Sequence, residues 1–271
     1  MMETRIVCQT YMPSFELISL DRFEIGYYTQ KNPGHSGPNE DSLGIIADNR
    51  KVVLIVADGV GGSPKGEEAS ETAVEKVIRG VAKNFAVTRK GQKMRISILD
   101  NIESANETII KSNTGALTTA TICTIDHDFI RCFQIGDSSL LVCGQKGLLK
   151  YKALEQSPVG YALKAGFINE KQAFEHPERN LVLNLMGDRN MSVEIGPQLP
   201  FAQNDTVLIA SDGIFDNFYS DELVEIIRKE SMHEVMTKLT ELCQPLRDSS
   251  ITSKLRKPDD ISFIVCRQSQ P

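Results

Sequence analysis

Val52-Val53-Leu54-Ile55-Val56-Ala57-Asp58-Gly59 is an apolar run that stops on a carboxylate and a glycine. Residues 52–57 form the longest uninterrupted apolar stretch of the chain, too short to cross a bilayer as a helix. A short segment rich in Val and Ile and bounded by Gly or Asp reads as a strand. The same ending recurs in Phe133-Gln134-Ile135-Gly136-Asp137 and in Val207-Leu208-Ile209-Ala210-Ser211-Asp212-Gly213. Asn39-Glu40-Asp41 precedes another strand, and Asp259-Asp260 opens the last one. A carboxylate that follows a buried strand is costly to hold unless something cationic pairs with it. Several of them at strand ends of one sheet, with glycines that allow close backbone approach, would form an oxygen-rich nest. Such a nest suits magnesium or manganese and not zinc or copper.

Outward from that run, strands are expected at 52–57, 119–125, 130–135, 140–143, 206–210 and 261–266. Ala69, Ala73, Val77, Val81 and Phe85 share one face of a helix after Pro64, and Met94, Ile98, Ile102, Ala105 and Ile109 share a face of a second. A third helix is expected from Ser220, with Asp221 and Glu222 in its first turn, and a fourth carries Val235, Leu239 and Leu242. Strands come in runs with the two long helices between them, which points to an α+β or layered αββα architecture. Residues 156–184 have mixed character and read as a small, partly helical insertion.

The composition limits the function. The chain has 271 residues, 41% of them hydrophobic and 24% charged, the balance of a globular protein with a substantial core. Thirty basic against 36 acidic residues give a net charge of −6, which argues against a nucleic-acid partner. No secretory signal is expected from MMETRIVCQTYMPSF, which lacks a basic start followed by an apolar core. The six cysteines form no C-x-x-C pair and are expected as free thiols in a reducing cytoplasm. The four histidines are far apart and read as surface residues.

Taken singly, the motifs are weak. Asp-Gly is a common turn dipeptide. Gly59-Val60-Gly61-Gly62 lacks the third glycine of a dinucleotide fingerprint, because position 64 is Pro64. Gly34-His35-Ser36-Gly37 does not fit a nucleophile elbow, and Ser138 beside Asp137 reads as a hydrogen-bonding residue.

Taken together, they resemble one family. Asn39-Glu40-Asp41-Ser42, Asp58-Gly59-Val60-Gly61-Gly62, Thr118-Thr119-Ala120, Gly136-Asp137-Ser138, Ser211-Asp212-Gly213 and Asp259-Asp260-Ile261-Ser262 follow the order and spacing of the metal-dependent PPM, or type 2C, serine/threonine phosphatases. The insertion, with Ala165-Gly166-Phe167-Ile168 and His176-Pro177-Glu178-Arg179-Asn180, is similar to the flap of the bacterial members. The resemblance covers about residues 24–266.

The resemblance implies one phosphatase domain over 1–271, with a flap at 156–184. Its fold would be a four-layer αββα sandwich, a central antiparallel β-sandwich flanked by helix pairs. Two to three divalent ions, manganese or magnesium, would sit at one end of the sandwich. Asp58 would bridge two of them with help from the Gly59 carbonyl, and Asp212 and Asp259 would complete the first ion's shell. Glu40 and Asp41 would hold waters on the second ion, and Asp137 with Asp212 matches a third position. Asp41, Asp58 and Asp212 are thus the expected catalytic carboxylates, while Asp260 has no assigned ligand role. The implied reaction is hydrolysis of phosphoserine and phosphothreonine in phosphoproteins, targets of a serine/threonine kinase, by a cytoplasmic monomer with neither a nucleic-acid nor a membrane partner.

Three positions depart from the family pattern. Ser36 stands where an Arg often clasps the substrate phosphate, and Ser139 and Leu117 replace an Arg and a Gly. His35 and Ser36 are the expected phosphate-binding residues, with Lys31 nearby, although none offers a bidentate fork. No expected metal ligand is lost. The competing reading is a pseudophosphatase, a phosphoprotein-binding module without turnover; a metal-dependent nuclease is disfavoured by the acidic balance.

Overall fold

In a computed structural model that describes residues 2–85, 91–247 and 257–269, the run 52–57 divides its side chains between two cores. Val52, Leu54 and Val56 enter one and Val53, Ile55 and Ala57 the other, because successive strand residues face opposite sides of a sheet. An apolar residue at every position therefore marks a strand covered on both faces.

The described strands are Glu3–Cys8 (β1), Glu16–Ser19 (β2), Phe23–Gln30 (β3), Asp41–Ala47 (β4), Lys51–Asp58 (β5), Ala120–Asp126 (β6), Phe129–Ile135 (β7), Ser139–Cys143 (β8), Leu149–Lys152 (β9), Glu194–Ile195 (β10), Leu199–Pro200 (β11), Thr206–Ala210 (β12) and Ile261–Gln268 (β13). The helices are Gly66–Ala82 (α1), Gly91–Ser112 (α2), Pro158–Lys164 (α3), Glu170–Phe174 (α4), Asp212–Phe215 (α5), Ser220–Ile227 (α6) and Met232–Cys243 (α7).

One sheet runs β1-β4-β5-β6-β7-β10, with β11 also on β7; the other runs β2-β3-β13-β12-β8-β9. The paired strands are antiparallel throughout both sheets. Helix α1 packs on β1, β4 and β5 of the first sheet with α2 against it, and α7, beside α6, packs on β3 and β13 of the second. Ile25, Leu54 and Phe263 lie fully buried in the core that fills the space between the sheets. These layers are the expected α+β, αββα sandwich.

The expected strands all form, with ends moved by one or two residues, and 206–210 is unchanged. The apolar faces expected for the first two helices belong to α1 and α2, although Phe85 is buried just beyond the end of α1. Helix α6 starts at Ser220 as expected, and its Glu222 accepts the Tyr219 N–H at 3.0 Å. In α7, Ser231 caps the first turn by accepting from the Glu234 N–H at 3.3 Å.

Strands β1, β2, β3, β9, β10 and β11 and the short helix α5 go beyond the elements expected from the sequence. Strands β1 and β2 have little alternation of burial, since they pair on one side only, and β3 mixes Glu, Gly, Tyr and Thr among its apolar residues.

Candidate metal centre

Sheet geometry gathers the acidic motifs. Asp41 opens β4, Asp58 closes β5, and antiparallel pairing sets these two residues opposite each other. On the second sheet Ala210 pairs with Phe263, so Asp212, just after β12, and Asp259, just before β13, leave the sheet at the same end. Asp137 lies in the turn from β7 of the first sheet to β8 of the second. The Ser211 hydroxyl joins the two sheets, donating to Asp41 Oδ2 at 2.8 Å while accepting from the Ser262 N–H at 3.1 Å.

The glycines after Asp58 and Asp212 are there for close approach. A methyl group on Gly59 would lie 2.4 Å from the backbone of Gly66 and 2.9 Å from the Glu40 carbonyl oxygen. One on Gly213 would lie 2.1 Å from the Asp260 carbonyl oxygen. These contacts press Asp58 against the Glu40 segment and Asp212 against Asp260.

The paired threonines hold Asp58. The Thr119 hydroxyl accepts the Asp58 N–H at 3.0 Å, and the Thr118 hydroxyl donates to the Asp58 carbonyl at 2.8 Å. Thr119 also shares a 2.6 Å hydrogen bond with Ser138, whose side chain is fully buried and is thereby a structural hydrogen-bonding group.

Asp260, which has no assigned ligand role, holds backbone instead: its Oδ1 accepts the Asn32 N–H and its Oδ2 the Glu40 N–H, both at 2.6 Å. One buried carboxylate thus closes the loop that carries Lys31, His35 and Ser36. His35 and Ser36 are exposed in that loop. Burial raises the carboxyl groups of Glu40 and Asp260; His35 offsets part of the rise on Glu40, and the N–H groups of Asn32 and Glu40, then His35, offset part of it on Asp260.

The electrostatics favour a cation. Burial, then the fields of other carboxylates, hold Asp41, Asp58 and Asp137 well above the usual carboxylate range. On Asp58 those fields come from Asp212, Asp41, Asp259 and Asp137, which records their convergence. Asp216 and Asp259 are pushed up to about 7, first by burial and next by Asp212. Asp41 Oδ1 and Asp212 Oδ1 are buried without a hydrogen-bond partner. Buried oxygens of this kind and an all-oxygen donor set fit magnesium or manganese. Among the described residues no group of three or more His, Cys, Asp or Glu side chains stands close enough together to hold a metal ion. An ion that keeps several waters needs only one or two carboxylates.

Two contributors escaped sequence reasoning. Asp216 lies one helical turn after Asp212, and its N–H bonds the Asp212 carbonyl at 2.8 Å, a spacing that the sequence displays. Lys257 hydrogen-bonds Asp212 Oδ2 and lies 3.2 Å from Asp216 Oδ2 and 3.3 Å from Asp259 Oδ2. Nothing in the sequence reveals where that amine goes.

The insertion at 156–184 contains α3 and α4. Its neck is closed by the Leu183 N–H donating to the Gln156 carbonyl at 2.9 Å. Glu170 accepts from the Ser220 hydroxyl at 2.5 Å, and Phe174 stacks on Tyr219 with ring centroids 4.6 Å apart. A cavity of about 30 Å³ is lined by Asp137 and Asp216 on one side and by Glu170, Phe174 and Arg179 on the other, which sets the insertion beside the carboxylates.

The cysteines are free thiols, five of them buried, and none lies among these carboxylates. Burial raises the thiols of Cys8, Cys123, Cys132, Cys143, Cys243 and Cys266, which suits inert core residues rather than nucleophiles.

Residues 33–257 match the family model described as protein phosphatase 2C. The serine/threonine phosphatase Stp of Listeria monocytogenes is 28% identical over 201 residues, which cover 71% of this chain and 78% of that protein. Among solved structures, the serine/threonine phosphatase Stp1 of Staphylococcus aureus superposes with a TM-score of 0.74 at 22% identity, covering 92% of this chain and 95% of that one. The catalytic domain of the serine/threonine protein phosphatase PstP, solved with two manganese ions, superposes with a TM-score of 0.70 at 19% identity, over 92% and 99% of the two chains.

Proposed function

The chain belongs to the protein phosphatase 2C family, and from that premise we propose that it is a metal-dependent serine/threonine phosphatase acting on phosphoproteins. The observation that carries this reading is the convergence of Asp41, Asp58, Asp137, Asp212 and Asp259 on one end of the sandwich, with buried oxygens of Asp41 and Asp212 unpartnered.

In this reading Asp58, the Gly59 carbonyl, Asp212 and Asp259 would hold the divalent ions, and Asp41 and Glu40 would hold their waters. Asp137, Asp212 and Asp216 frame a third position. Bound divalent ions supply an activated water and neutralise the charge that develops on phosphorus. The chain's own part is positioning. Ser211 fixes the Asp41 carboxylate, Thr118 and Thr119 fix Asp58, and the Asp260 clamp presents His35, Ser36 and Lys31 toward the substrate phosphate. Ser138 is committed to Thr119 and the cysteines are apart from the site, so the chemistry needs no covalent phosphoenzyme.

The substrates are phosphoproteins modified by a serine/threonine kinase, read in part by the insertion at 156–184 of a single domain. The free thiols suit a reducing compartment such as the cytoplasm. Among the described residues no helix is long and apolar enough to cross a membrane.

A phosphopeptide and p-nitrophenyl phosphate, each assayed with manganese and after exhaustive chelation, test this reading. Manganese-dependent turnover that Asp58→Asn abolishes is expected. Undiminished turnover after chelation overturns the metal-dependent reading. Binding of the phosphopeptide without turnover of either substrate would instead favour the pseudophosphatase, the reading to which Ser36 in place of Arg points.

A further inference from the structure

We propose that Lys257 is a resident cation of the carboxylate cluster, its ammonium holding the place that a divalent ion would otherwise take between Asp212 and Asp216, with Asp259 also in ion-pair reach. The inference rests on the reading of these carboxylates as a metal centre and goes beyond it, since it concerns which of the positions this chain fills with its own side chain.

Three observations carry it. The first is contact. Lys257 Nζ hydrogen-bonds Asp212 Oδ2 and forms ion pairs with Asp216 at 3.2 Å and Asp259 at 3.3 Å. An ammonium has three donors and no acceptor, and here three carboxylates surround it.

The second is that the lysine is held there. Its side chain is only 18% exposed. The Asn217 side chain accepts the Lys257 N–H at 2.9 Å and donates to the Lys257 carbonyl at 2.9 Å. Asn217 Nδ2 also donates to the Gly213 carbonyl at 3.0 Å, so the backbone of Lys257 is fastened to the short helix that bears Asp212. A solvated surface lysine would need no such clamp.

The third is how Asp212 divides its oxygens. Oδ2 faces the ammonium, whereas Oδ1 is buried without a partner. One oxygen therefore remains for an ion beside Asp58, and the other is already neutralised. A third ion enters between Asp212 and Asp216 by displacing the amine.

The experiment counts manganese by equilibrium dialysis and records thermal unfolding in chelator and in manganese. It uses the full-length wild type, Lys257→Met and Lys257→Gln. The glutamine variant keeps a donor of similar reach for the carboxylates and so folds more readily without the charge. The expected result is one more ion bound by each variant than by wild type, about tenfold or more tighter at that position. In chelator both variants should melt below wild type, and manganese should raise their melting temperatures by more than it raises that of wild type. Equal stoichiometry and affinity in wild type and Lys257→Gln, with equal melting in chelator, overturns the inference while leaving the metal centre intact. A Lys257→Gln chain that manganese cannot restore to the wild-type melting temperature also overturns it, because the ion should replace the ammonium. Manganese binding by none of the three proteins overturns the metal reading itself, and the inference with it.

Discussion

The Ser211 hydroxyl donates to Asp41 Oδ2 at 2.8 Å, and so ties the end of one sheet to the first residue of a strand in the other. The bond crosses the sandwich where the acidic motifs meet. It leaves Asp41 Oδ1 buried without a hydrogen-bond partner.

Ser211→Ala removes this donor and the acceptor of the Ser262 N–H. A buried carboxylate and a buried amide each lose a bond, so stability should fall by about 1–3 kcal/mol. Manganese affinity should fall as well, because Asp41 is no longer oriented. Urea unfolding and manganese titration measure the two effects. A variant as stable as wild type, with unchanged affinity, would show that Ser211 only fills space.

Asp260→Asn should be costly. An amide presents one acceptor where the carboxylate presents two, so either the Asn32 or the Glu40 N–H faces an NH₂ group. A stability loss of about 1–3 kcal/mol is expected, and the Michaelis constant for p-nitrophenyl phosphate should rise because the loop bearing His35 and Ser36 is no longer closed. Bound manganese should be retained, in contrast to Asp259→Asn. Equal loss of manganese in both variants would count against this division of labour.

Ser36→Arg restores a planar fork at an exposed loop position beside the site. A guanidinium on phosphate should lower the Michaelis constant for small phosphates by about tenfold. Should Ser36→Arg leave that constant unchanged while His35→Ala raises it, His35 already meets the phosphate.

The raised carboxylates give a pH dependence with a definite sign. Asp216 and Asp259 are pushed from an ordinary value of 3.8 up to about 7, chiefly by burial. Between those values the folded chain holds protons that the unfolded chain has released, so stability falls as pH rises through that window. In chelator the melting temperature should decline from pH 5 to pH 7, and Asp216→Asn should flatten the decline. Manganese competes with those protons and should raise the melting temperature most at the upper end. A variant whose slope matches wild type would remove Asp216 from the account.

The insertion is docked through Glu170 to Ser220 and through Phe174 to Tyr219. Excising its exposed tip around Phe167, which is 83% exposed, should slow phosphoprotein turnover much more than turnover of p-nitrophenyl phosphate. Parallel losses for the two substrates, or none, would deny it a part in substrate selection.

The sequence alone determined what is local. Residues 52–57, apolar at every position, could only be buried on both faces, and the spacing of Ala69, Ala73, Val77 and Val81 made one face of a helix, because strand and helix periodicities act over a few residues. The recurrence of strand, Asp and Gly announced an oxygen-rich site and carried the family resemblance. Tertiary structure decided everything that depends on partners far along the chain. Asp260 looked idle until its oxygens met the N–H groups of Asn32 and Glu40. Ser211 had no visible reason to reach Asp41, and Lys257 none to reach Asp212. A carboxylate, a hydroxyl and an ammonium carry no record of their partners in their own neighbourhood of sequence; those partners are set when the sheets form and close on a shared core, which brings together residues 45 apart for Lys257 and Asp212, 170 for Ser211 and Asp41 and 228 for Asp260 and Asn32.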